Sequence, residues 1–260
     1  MRQESSALNS HHVQLLVSVR NREEIRPALA GGCDILDFKE PAHGALGMID
    51  AETLHSISEF FQTDPLDIPV SLALGELTDW SESQPAPLLP PAITYLKMGL
   101  SHTAEMPHWY SIWQDLINRI EDTNQTAYHW IAVAYADWEQ ADAISPQDVL
   151  TAAIESESAG LLIDTYFKQG RNLLDHLQLD ELSALIEQAQ SHGLKIALAG
   201  SLQQRDLAIL SSISPDIIGI RSAACRGHLR TDCIQEQAIR DFRRQLDQQS
   251  VLSRSGGHIG

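Results

Sequence analysis

Eight short apolar segments, spaced along the chain with amphipathic stretches between them, most constrain what this sequence can fold into. They are 13–19 (VQLLVSV), 33–38 (CDILDF), 69–74 (PVSLAL), 93–98 (ITYLKM), 130–135 (WIAVAY), 159–164 (AGLLID), 194–199 (LKIALA) and 216–221 (DIIGIR). Each has the length of a strand and is apolar almost throughout, which is the pattern of strands buried on both faces of a parallel sheet. The intervening segments carry helix signals. Asn21-Arg22-Glu23-Glu24 is a capping-box-like start, with Pro27 awkwardly inside the pattern. Ser145-Pro146 sets a cap residue before a proline at the first helical position. Residues 179–192 repeat apolar side chains at Leu182, Leu185, Ile186 and Ala189 and stop at Gly193. Residues 234–246 read as a last amphipathic helix.

Eight strand–helix units in about 230 residues predict a (β/α)8 barrel. A doubly wound open sheet competes, but it usually carries a glycine fingerprint after its first strand, and VSVRNREE has no glycine. One unit is irregular: ELTDWSESQPAPLLPPA holds four prolines, which leaves little room for a third helix. The expected organisation is one barrel over 13–249, with loose ends at 1–12 and 250–260.

Composition removes several function classes. The 260 residues carry a formal charge of −17, which argues against general affinity for nucleic acid or anionic lipid. Three cysteines without a C-x-x-C pair make a disulfide scaffold or zinc ribbon a poor fit. The eleven histidines show no metal-ligand spacing. The N-terminal dozen lacks an apolar core of signal-peptide type, and no run reaches membrane-span length. A cytoplasmic protein with no membrane or nucleic-acid partner, no metal and no cofactor is expected.

The basic residues divide unevenly, with fourteen arginines and only four lysines. Three of those lysines fall at or just past strand ends, where barrel chemistry resides. Alternation along the second strand puts Asp37 and Lys39 on one face, with Leu36 and Phe38 turned to the helices. The same argument points Lys97 inward at the end of strand four. Strand six ends at Asp164, and Lys168 follows four residues later. A lysine in partly apolar surroundings near another cation has a lowered pKa. Its neutral amine can attack a carbonyl, and a second lysine or a carboxylate can move protons. A lone strand-end lysine more often just pairs with a carboxylate at the rim; two on successive even strands with an acid alongside favour chemistry. A substrate-phosphate site is expected at Gly200 and Ser201 after strand seven and at Arg221 and Ser222 after strand eight. Asp137 and Glu76 stand as either site residues or caps. His43 and His228 read as solvated, and Cys225 as a small buried filler.

The segments LLVSV, AGGCDILDFKEPAHGALG, YLKMGL, AVAYAD, LLIDTYFKQGRNLLD, GLKIALAGSL and DIIGIRSAAC, in this order between about residues 13 and 245, resemble the (5-formylfuran-3-yl)methyl phosphate synthase family of methanofuran biosynthesis. The resemblance implies a barrel lyase that joins two molecules of glyceraldehyde 3-phosphate with loss of phosphate and water, working as a homo-oligomer. It also implies that Lys39 is the Schiff-base lysine, that Lys97 is a second catalytic lysine handling protons, and that Asp37, Asp164 and Lys168 are their partners. The chain departs from the family at Ala42 and Ala45, where relatives often carry polar residues, and in the proline-rich stretch. Two other functions remain open: an aldolase of another sugar phosphate, which would release no phosphate, and an inactive barrel that binds phosphometabolites without turnover.

Overall fold

The computed structural model describes residues 12–168 and 170–255. Eight parallel strands close on themselves: β1 (Gln14–Val19), β2 (Ile35–Phe38), β3 (Val70–Glu76), β4 (Ile93–Gly99), β5 (His129–Tyr135), β6 (Gly160–Asp164), β7 (Lys195–Leu198) and β8 (Ile217–Ile220). Each pairs with its sequence neighbours, and β8 returns to β1 through Leu16↔Gly219 and Val17↔Ile220. The helices are α1 (Ile25–Ala30), α2 (Ala51–Thr63), α3 (Trp109–Asn124), α4 (Pro146–Glu155), α5 (Leu179–Ser191), α6 (Leu207–Ser212) and α7 (Glu236–Ser255).

The two faces of each strand enter two different cores. Leu36 and Phe38 of β2 pack outward into the layer between barrel and helices, where Phe38 meets the edge of Phe61 on α2 at 6.1 Å. Ile35, Val133, Leu162, Ala197 and Ile217 fill the barrel interior. Alternation therefore sends Asp37 inward, as the pleat requires.

Helix starts follow their caps. Ser145 accepts a hydrogen bond from the Asp148 amide, and Pro146 opens α4. At the first connection the expected helix is split. Asn21 caps a 3-10 turn over Arg22–Glu24, and α1 begins only at Ile25. Pro27 thus sits in the first turn, where its missing N–H costs nothing.

Between β3 and β4 only a 3-10 turn over Leu77–Asp79 forms. The proline-rich segment behind it is extended and tied to α3. Asn124 accepts from the Leu89 amide and donates to the Pro87 carbonyl, and Arg119 donates to the carbonyls of Ser81 and Glu82. A register shift between Ala73 and Glu76 accompanies this unit. Glu76, the last residue of β3, accepts from the Tyr135 hydroxyl at 2.6 Å. That bond passes over Gly99, where a Cβ would stand 2.0 Å from Glu76 Oε2 and 2.2 Å from Tyr135 Oη.

Helix α7 continues to Ser255, beyond the expected boundary at 249, so residues 250–255 are helical rather than a loose tail. The expectation of loose ends at 1–11 and 256–260 lies outside the described residues. Among those described, no helix is long and apolar enough to cross a membrane.

Candidate active site

The C-terminal ends of the strands surround a cavity of about 790 Å³. Asp37, Lys39, Lys97, Asp164, Lys168, Gly200, Ser201, Arg221 and Ser222 all line it. The residues picked from the sequence thus share the wall of one cavity, although they come from connections that lie far apart along the chain.

Two carboxylates organise the charged part of this wall. Asp37, fully buried on β2, accepts from Lys97 Nζ of β4 at 2.6 Å and from Ser18 Oγ of β1 at 2.9 Å. Burial alone would raise its pKa. The charges of Lys97 and Lys39 and both hydrogen bonds outweigh that and hold it below the ordinary carboxylate range. Asp164, at the end of β6, accepts through Oδ1 from Lys168 Nζ at 2.5 Å and from the Thr165 amide at 2.7 Å. Here too burial is outweighed, by Lys168 and Lys39, and the carboxyl sits at about 2. Its other oxygen, Oδ2, is buried without a hydrogen bond and lies 3.9 Å from Lys39 Nζ.

Lys39 differs from its neighbours. Its backbone is fixed by a hydrogen bond from its amide to the Val19 carbonyl, just past β2, and its side chain is buried. No carboxylate accepts a hydrogen bond from its Nζ among the described residues. Burial pushes its pKa down to about 8. Asp164 and Asp37 pull the other way, and Lys168 and Lys97 add to the depression. Burial also lowers Lys168, against the pull of Asp164. An amine in this state is a nucleophile at accessible pH, with a carboxylate oxygen close by that has no other partner.

The loops after β7 and β8 supply the second part of the wall. Gly200 has φ +101°, and Ser201 follows at φ +56°, so the backbone turns sharply at the rim. A Cβ on Gly200 would also press on Thr165 beside Asp164. Ser222 opens a 3-10 turn, whose first N–H groups have no partner within the turn. Arg221 is built differently from the expectation of a phosphate donor. It is buried, and Glu24 takes both of its terminal nitrogens.

Several other residues resolve differently from the sequence. Asp137 accepts from the amides of Tyr166 and Phe167 and so braces the loop that carries Lys168; it neither lines the cavity nor caps α4. Glu76 joins Tyr135, and burial raises the pKa of both. Cys225 is buried, and burial pushes its thiol up to about 11. His228 is exposed but lines the cavity. Lys195 stands at the opposite end of the barrel, with Asp216 at 3.4 Å. Sequence reasoning missed Ser18, although it pairs in register with Asp37 and shares its inward face. It also missed Arg230, which no strand-end rule reaches. Among the described residues no group of three or more His, Cys, Asp or Glu could hold a metal ion.

Residues 15–243 match the family model described as 4-HFC-P synthase. The (5-formylfuran-3-yl)methyl phosphate synthase of Methanothermobacter thermautotrophicus is 31% identical, over 90% of this chain and 98% of the relative. That of Methanococcus aeolicus is 32% identical, over 88% and 97%. Solved structures share the fold at low identity. The 3-hexulose-6-phosphate synthase from Salmonella typhimurium superimposes with a TM-score of 0.58 at 11% identity, covering 93% of this chain and 100% of that one. Thiamine phosphate pyrophosphorylase from Pyrococcus furiosus gives 0.55 at 11%, covering 92% and 98%.

Proposed function

The chain belongs to the 4-HFC-P synthase family, and from that membership we propose that it condenses two molecules of glyceraldehyde 3-phosphate to (5-formylfuran-3-yl)methyl phosphate through an imine on Lys39. The observation that carries this reading is the state of the Lys39 amine. It is buried, depressed to about 8, free of a hydrogen-bonded carboxylate, and 3.9 Å from an unpartnered oxygen of Asp164.

In this reading the neutral Lys39 amine attacks the aldehyde carbon of one triose phosphate. The carbinolamine hydroxyl hydrogen-bonds to Asp164 Oδ2, and its loss as water leaves an iminium. The iminium acidifies the neighbouring C–H, and Lys97 takes that proton as a neutral amine, its own proton having passed to Asp37 along their 2.6 Å hydrogen bond. Asp37, anchored by Ser18, holds Lys97 in place. The resulting enamine carbon attacks the second aldehyde. Lys168, on the other side of Asp164, serves as the acid for the departing oxygens. The backbone after β7 and β8, at Gly200, Ser201 and Ser222, cradles a substrate phosphate. Arg221 holds the wall behind it.

Borohydride reduction in the presence of glyceraldehyde 3-phosphate, followed by peptide mass spectrometry, tests the central step. A reduced adduct on Lys39 is expected. No adduct, or one on another lysine, overturns the mechanism. An aldolase acting on a different sugar phosphate would also form an imine, so release of inorganic phosphate is measured alongside; its absence favours that second activity.

A further inference from the structure

Arg221 and Arg230 line the same cavity and are held in opposite ways. A guanidinium has five N–H donors, and in Arg221 all are engaged. Nε donates to the Arg230 carbonyl, Nη1 to the Ser18 carbonyl and Glu24 Oε2, and Nη2 to Glu24 Oε1 and the Asp232 carbonyl. Two of those acceptors are backbone oxygens of the loop between Cys225 and Ile234, whose ends meet in an antiparallel bridge. Arg221 is thus the peg that fixes this loop against the top of β1.

The loop so fixed carries Arg230 over the mouth of the barrel. Arg230 donates through Nη2 to the Gly44 carbonyl at 2.7 Å, which ties it to the connection after β2. Its other guanidinium donors have no acceptor among the described residues, and the side chain is half-buried. The acids near it are committed elsewhere. Glu40 accepts from Arg20 Nε and from the Ala42 amide, Asp164 Oδ1 accepts from Lys168 and the Thr165 amide, and Asp164 Oδ2, which has no hydrogen bond, faces Lys39 at 3.9 Å. A half-buried cation beside a second one, Lys168, without a paired carboxylate, is a costly arrangement that a bound anion would relieve. The fork geometry of a guanidinium suits the oxygens of a phosphate.

We propose that Arg230, steered by its tether to Gly44, is the anchor of a second phosphomonoester subsite on the β2 side of the barrel mouth. This rests on the reading above, in which two phosphorylated aldehydes bind at once. Arg230, tied to the connection that follows Lys39, takes the phosphate of the triose that forms the imine, and the backbone cradle after β7 and β8 takes that of the second aldehyde. Arg221 binds neither; it sets the height and direction of the loop that presents Arg230.

Two measurements separate the subsite from the chemistry. The first compares the rate of borohydride-trapped imine formation with glyceraldehyde 3-phosphate and with unphosphorylated glyceraldehyde. Arg230→Gln is expected to reduce the preference for the phosphorylated aldehyde by about 10- to 100-fold, the range for loss of a charge-assisted hydrogen bond. Arg230→Lys, which keeps the charge and loses the fork, should fall between that variant and the wild type. An unchanged preference in both variants overturns the subsite. The second is calorimetric titration of the full chain with inorganic phosphate, which needs no turnover. Two classes of site are expected in the wild type and one in Arg230→Gln or, if that variant does not fold, a weakened second class in Arg230→Lys. Equal phosphate binding by wild type and variants overturns the proposal even where imine forms on Lys39. Two phosphate classes with no imine on Lys39 would overturn the mechanism and leave the subsite standing.

Discussion

Asp37 and Asp164 are both buried at the top of the barrel, and each faces a lysine from another element, yet they are finished differently. Asp37 has both oxygens engaged, one by Ser18 and one by Lys97. Asp164 has one oxygen engaged by Lys168 and the Thr165 amide, while the other faces Lys39 across 3.9 Å without a hydrogen bond. The first pair is closed: its charges and hydrogen bonds balance within the protein. The second is open, and an unsatisfied buried carboxylate oxygen is expensive to maintain for stability alone. Buried ion pairs are weak sources of stability because desolvation offsets attraction. An open one is better explained by what enters the gap.

The contrast can be broken at three points. The largest effect is expected at the open pair's amine. Lys39→Ala should lower furan formation by about 10⁴-fold or more, as removal of a nucleophile does, and abolish the trapped adduct. An adduct that persists would move the imine to Lys97 or Lys168.

Asp164→Asn comes next, with a loss of about 10²- to 10³-fold in turnover, and it carries a pH signature. The reactive form of Lys39 is the neutral amine, and its pKa is about 8. The trapping rate should therefore climb with pH below that value and level off above it. Asp164 raises the Lys39 pKa by favouring the ammonium, so removing its charge should move the rising limb to lower pH. A limb that stays in place or moves up would contradict the assigned coupling.

The smallest effect belongs to the closed pair's brace. Ser18→Ala leaves a buried carboxylate oxygen without its donor, so denaturant unfolding should report a loss of about 1–3 kcal/mol. The Lys39 limb should hold its position, because Ser18 contributes no charge. A limb shift as large as that of Asp164→Asn would mean that the two pairs are not separable.

How much of this was legible in the sequence depends on range. The barrel itself was, because continuous apolar runs of strand length alternating with helical segments are local properties. The inward direction of Asp37 followed from alternation along its strand, and the proline-rich third connection announced its missing helix through residues that lack an N–H. Helix α7 runs past the expected boundary at 249, since residues 250–255 contain no glycine or proline to stop it. Arg221 read as a phosphate ligand because Gly, Arg and Ser after a strand look alike whether the guanidinium faces substrate or protein. Only the arrival of Glu24 from the first connection, some two hundred residues earlier in the chain, decides between them.

The scarcity of lysine, and the placement of three of the four at strand ends, belong to the sequence alone. So does the family, through motifs spread along the chain. Which lysine is left without a bonded carboxylate was decided only by tertiary structure. Lys97 meets Asp37 across the barrel, and Lys168 folds back four residues onto Asp164. Lys39 remains between them because both carboxylates are already bonded to the other two. Distances between strands set that outcome, and no local pattern encodes them. The same holds for Arg230, which reaches the mouth on a loop held by Arg221 and the Gly44 carbonyl.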